Sequence, residues 1–218
     1  MSGVLLKDIV LWVADTDAKA ALCALLTRPP ALGIRNITAD VFVHPEHDPG
    51  VFLRAEDLLR RFLKSHRYAM AVFDREGSGR EALSPQQLEE DLEERLRRSG
   101  WGNRARAVAI DPELEAWVWS GSPQVAHALG WSDPGELHRW LTAHEFLDRC
   151  APQGTKPCRP KEAMEAALHQ ARVPRSSAIY AELARRVSVA RCGDRAFCRL
   201  RDTLRRWFPA THSRPERP

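Results

Sequence analysis

The sequence predicts an α/β protein: a mainly parallel four-stranded sheet with flanking helices, followed by a helical C-terminal region. Three observations predict it. Four apolar, β-rich runs occur at residues 9–14, 37–44, 68–73 and 105–110. Three of them are near-continuous rather than alternating, the pattern of strands covered on both faces. Helix-length segments separate the runs, which implies crossover connections and an open parallel sheet.

Each element has its own justification. The run 9–14 reads Ile-Val-Leu-Trp-Val-Ala, and a helix over 18–26 follows it. The run 37–44 is more mixed and belongs nearer an edge. Leu58, Leu59, Phe62 and Leu63 recur at helical spacing within 54–64. After the third strand, Ser84 can cap a helix over 85–98, Pro85 suits its first turn and Gln87 completes a capping box. Leu88, Leu92 and Leu96 then recur every four residues, and Gly100 can close the helix. Beyond Asp111 the pattern predicts a short helix over 112–119, a loop over 120–135, a helix over 137–147 and a linker over 151–160. Three helices follow, over 161–170, 177–189 and 194–207. The expected organisation is a core at 1–120, connecting loops and a helix at 121–160, a basic helical region at 161–208 and a flexible tail at 209–218.

Composition narrows the functional classes. The chain has 218 residues, 44% hydrophobic and 28% charged, ordinary for a globular protein. No stretch approaches the roughly 18 apolar residues of a membrane span. The start lacks a basic segment followed by a long apolar run, so a cytoplasmic location without membrane association is expected. The five cysteines form no CxxC pair, which argues against a zinc ribbon or thioredoxin motif and for buried or idle thiols. The net charge of +4 is unevenly held: residues 1–150 carry 18 basic and 23 acidic side chains (−5), residues 151–218 carry 15 and 6 (+9). Such asymmetry predicts two surfaces with different partners.

The acids carry the chemistry. Asp15 and Asp17 follow the first strand, Asp74 and Glu76 the third, and Asp111, Glu113 and Glu115 the fourth. In an open parallel sheet the strand C-terminal ends share one rim, where ligands bind. Carboxylates gathered there repel one another unless a cation lies among them. Mg²⁺ (or Mn²⁺) takes hard oxygen ligands and keeps waters for a substrate phosphate. The expected metal set is Asp15, Asp74, Glu76, Asp111, Glu113 and Glu115, with Asp15, Asp74, Glu76 and Glu113 as the catalytic candidates. The plainer alternative is that Asp17 and Asp111 cap helices, while Glu113 and Glu115 complement a helix dipole. Gly77-Ser78-Gly79 resembles a phosphate nest but lacks the Lys-Ser/Thr of a P-loop.

These residues resemble the TOPRIM domains of topoisomerases, primases and several nucleases. Such domains have an acidic residue after the first strand and an Asp-x-Asp pair after the third. Asp15 stands for the first acid, usually Glu, and Asp74-Arg75-Glu76 for the pair, with Glu in place of the second Asp. The stretch from Asp111 to Trp119 is similar to the Pro-Glu-x-Glu-x-Trp segment of a TOPRIM-like family of bacterial defence proteins. Arg159-Pro160-Lys161-Glu162, Arg175-Ser176-Ser177 and the final helix resemble that family's C-terminal part. The resemblance covers nearly the whole chain and implies a role in phage defence. Two activities are compatible with it: a metal-dependent nuclease acting on DNA or RNA, or a degenerate accessory protein that binds another defence protein.

The basic C-terminal region is the second feature. Arg195, Arg199 and Arg206 can share one face of the last helix and track phosphates. The alternatives are a solvated face, or docking onto the acidic core. Lys156, Lys161 and Arg175 are candidate phosphate clamps reaching the acidic rim.

Overall fold

Val, Ile and Ala dominate the four strands, and their placement is explained by layers of helix on both sides. A computed structural model describes residues 6–147, 156–190 and 192–210. The strands are β1 (Lys7–Val13), β2 (Ala39–Val43), β3 (His66–Asp74) and β4 (Ala105–Ile110). They form one all-parallel sheet in the order β2-β1-β3-β4. The mixed second run is an edge strand, as its composition suggested.

The helices are α1 (Thr16–Leu26), α2 (Pro29–Leu32), α3 (His47–Leu59), α4 (Pro85–Leu96), α5 (Pro123–Ala128), α6 (Pro134–Ala143), α7 (Pro160–Ala171), α8 (Ser177–Arg186) and α9 (Arg195–Trp207). Pleating divides β1 between two cores. Ile9, Leu11 and Val13 face a cluster shared with α1 and α5 to α9, whereas Val10 and Ala14 face α3 and α4. The capping box of α4 forms: the Ser84 hydroxyl accepts from the Gln87 N–H, and the Gln87 side chain accepts from the Ser84 N–H. Leu88, Leu92 and Leu96 are fully buried. The chain leaves that helix through Gly100 at φ +107°, a value glycine reaches without steric penalty.

Several expectations change. The stretch 120–135 is not all loop: Ser122 caps α5 from its hydroxyl, with Pro123 in the first turn. The helix expected over 54–64 begins at His47, because the 44–48 segment turns directly into it. The segment after Asp111 holds only a 3₁₀ turn, Leu114–Trp117. The C-terminal helices share the larger core with the sheet, through Ile179, Tyr180, Leu183, Phe197, Leu200 and Leu204. Arg28 ties the loop after α1 to the carbonyls of Ala184 and Val187. Trp119 is buried and donates to the Pro160 carbonyl, while Trp117 packs edge-on against Phe197. Cys23 and Cys158 are exposed, and Cys192 and Cys198 half-buried, so none is a core thiol. Cys150, the first half of the 151–160 linker and most of the tail, from 211 onward, lie outside the described residues. No helix among the described residues is long and apolar enough to cross a membrane.

Candidate functional site

All four strands run in one direction, so their C-terminal ends deliver acids to one rim. Asp15 follows β1 and caps α1, accepting from the Ala18 N–H at 2.8 Å. Asp74 is the last residue of β3. Asp48, in the first turn of α3, accepts from the Asp74 N–H at 2.7 Å. Asp48 therefore joins the rim from the connection after β2, although it is not one of the six acids of the expected metal set. Burial, with help from the neighbouring Asp15 charge, pushes the Asp48 carboxyl up to about 6. Burial first, then the charges of Asp48, Glu115 and Asp15, holds Asp74 well above the usual carboxylate range. None of the three forms an ion pair among the described residues.

The other predicted acids fall into different surroundings. Glu113 is 7% exposed and accepts from the Lys161 N–H at the start of α7, at 3.0 Å. Burial and the charge of Glu115 raise it to about 7. Glu115 is buried and engaged: it accepts from Arg175 at 2.7 Å and from the Tyr180 hydroxyl at 2.6 Å. Asp17 accepts from Arg175 at 3.1 Å and from the Ser177 hydroxyl at 2.5 Å. Asp111 pairs with Arg75 at 2.7 Å. Glu76 is exposed on the loop after β3.

The expected set of six therefore separates. Arginines neutralise Asp111 and Glu115, leaving them little to offer a metal. Among the described residues, no three His, Cys, Asp or Glu side chains stand close enough together to hold one ion. Asp48 and Asp74, with the Asp15 charge acting on both, are still carboxylates of the kind a hard divalent cation takes, and Mg²⁺ needs only one or two of them when water and phosphate oxygens complete its shell. No family model, curated protein or solved structure matches this chain. The site is therefore read from its own residues.

The basic candidates divide in the same way. Arg175 is no free phosphate clamp, because it spans Asp17, Glu115 and, at 2.6 Å, Glu165. Arg195 donates through two nitrogens to Glu89, and Arg199 donates to Glu93 at 2.7 Å. Both also donate to β4, Arg195 to the Ala109 carbonyl and Arg199 to that of Ala107. From the other side, Glu89 and Glu93 accept from the N–H groups of Ala109 and Ala107, each at 3.0 Å. The stripe thus docks onto the acidic face of α4 and seals an edge strand. Lys156 lies 3.6 Å from Asp194. Lys161 and Arg206 have exposed side chains without an ion pair among the described residues.

Proposed function

We propose that this chain is a TOPRIM-like component of bacterial phage defence that binds Mg²⁺ or Mn²⁺ at its acidic rim and acts on nucleic acid phosphodiesters. One observation carries the reading: Asp48 and Asp74 stand together at the rim, each feeling the charge of Asp15, and none of the three forms an ion pair among the described residues. One or two of these carboxylates would hold the ion together with its waters, and when bound it would offset the negative charge of a substrate phosphate. Glu113, raised to about 7, can hold or release a proton near neutral pH, within the influence of Glu115 and Glu76. Of the predicted basic candidates, Lys161 and Arg206 are the ones left open to a nucleic acid.

Two measurements test this. Mg²⁺ should raise the unfolding temperature of the wild type in proportion to log concentration, and Asp74→Asn should abolish the effect. Plasmid nicking with Mg²⁺ or Mn²⁺ should fall in Asp74→Ala and Glu76→Ala. Equal nicking in all three preparations would remove the catalytic claim.

A second reading has its own support. Arginines neutralise Asp17, Asp111 and Glu115, and Glu89 and Glu93 hold Arg195 and Arg199. Charge satisfied internally suits an accessory protein that binds a defence partner without cleaving anything. Co-purification with a neighbouring defence protein, together with absent nicking, would favour it.

A further inference from the structure

The loop between β3 and α4 already holds an anion. Gly77 and Gly79 have φ of +87° and +76°, which turns their N–H groups toward one point. Both donate to a single oxygen, Oε1 of Glu81, at 3.1 and 3.0 Å. Arg75 donates to the Glu81 carbonyl at 2.7 Å and pins the far end of the loop. The Glu81 side chain is exposed, so nothing encloses the carboxylate that fills this nest.

The nest adjoins the acidic rim. A Cβ built on Gly77 would meet Asp48 first, with Cβ and Oδ2 each at 3.9 Å. A Cβ on Gly79 would meet nothing within 4 Å, so that side of the loop is open. Arg80, next to the nest, is exposed and its side chain has no ion pair among the described residues. Convergent N–H groups, the Arg75 guanidinium whose charge acts on Glu81 and an open face match the needs of a phosphoryl oxygen.

We propose that Gly77–Gly79 is a phosphate-binding subsite and that Glu81 occupies it as an internal stand-in, displaced when a phosphate enters. The proposal deepens the reading of the rim as a phosphodiester site and names how the substrate is positioned. A phosphate in the nest would border Asp48, and a cation at the rim would offset the repulsion between them.

The test uses the full chain and two probes, inorganic phosphate and a short single-stranded oligodeoxynucleotide, titrated calorimetrically in EDTA and again in Mg²⁺. Glu81→Ala should bind at least one probe about tenfold more tightly than the wild type, the gain from one charge-assisted contact no longer competed for. A gain for the oligonucleotide alone identifies a nucleic acid phosphate; a gain for both identifies any phosphate. Adding Gly79→Ala to Glu81→Ala should abolish the gain, because alanine strains at that φ and turns the N–H away. Circular dichroism and the unfolding temperature confirm that the double variant is folded. If it is not, Gly77→Ala in the same background replaces it. Unchanged affinity in Glu81→Ala, or a gain that survives the loss of the nest glycine, would overturn the proposal. The EDTA arm separates the two readings: a gain there with no Mg²⁺ response leaves the nest intact and removes the metal.

Discussion

Asp48 shows how a single residue reports on the rim. Its folded carboxyl lies near 6 against an ordinary 3.8, so it binds its proton more tightly when folded. The sign follows from linkage: its stabilising contribution is full below about 3.8 and is lost as pH rises through about 6. Asp48→Asn keeps an oxygen to accept from the Asp74 N–H but removes the charge. It should therefore stabilise the protein at pH 7 by about 1–2 kcal/mol and leave pH 4 nearly unchanged. Urea denaturation at the two pH values checks this, and a destabilised variant at pH 7 would refute it. Carboxyl NMR titration should show midpoints of about 6 for Asp48 and about 7 for Glu113, and Mg²⁺ should lower the former. At this scale the sequence was partly legible. Strand order and direction placed Asp15 and Asp74 on one rim. The same rule applied to the run 37–44 would have found Asp48. What spacing could not reveal is pairing, since Arg175 reaches Asp17 from 158 residues away.

At the scale of elements, the edge of β4 is the most ordered use of charge in the molecule. Ala107 and Ala109 have both backbone groups bonded to side chains: N–H to Glu93 and Glu89, carbonyl to Arg199 and Arg195. Four side chains do the work of a fifth strand, and an unpaired edge is a template for aggregation. Glu89 is 1% exposed, so Glu89→Ala leaves the Ala109 N–H without its acceptor and Arg195 without its carboxylate. It should destabilise by about 3 kcal/mol, as breaking a buried pair does. Replacing Glu89, Glu93, Arg195 and Arg199 together by alanine should add self-association, seen by light scattering behind size exclusion. A monodisperse monomer would show that the seal is dispensable. Element type was readable wherever a cap and a period agreed, as at α4. It was not at α5, where Pro, Ser and Gly suggested a loop although Ser122 and Pro123 also start a helix.

For the molecule as a whole, the split of −5 and +9 is resolved in part inside the fold, where Arg175, Arg195 and Arg199 pair with acids of the first 150 residues. Arg175 joins α1, the segment after β4 and α7 through Asp17, Glu115 and Glu165. Glu115 is 3% exposed, so Arg175→Met strands a buried charge. A loss of about 3 kcal/mol is expected, and Arg175→Lys should recover only part of it, since an ammonium cannot span three carboxylates. Full recovery by lysine would mean that point charge alone suffices. The asymmetry was visible in the sequence, but its meaning was not. A basic C-terminal region reads equally well as a surface for polyanions or as the complement of its own acidic core, and only packing distinguishes them.

The seal on β4 also sets a schedule for the nascent polypeptide. Glu89 and Glu93 leave the ribosome before the strand they guard, but Arg195 follows Ala109 by 86 residues. At typical elongation rates of about 5–20 residues per second, the β4 carbonyls wait roughly 4–17 s for their donors. Through that interval a strand rich in small apolar residues is half protected, and the acids of α4 lack their counter-ions. Holdase chaperones acting during synthesis should therefore matter more for this protein than its compact finished form suggests.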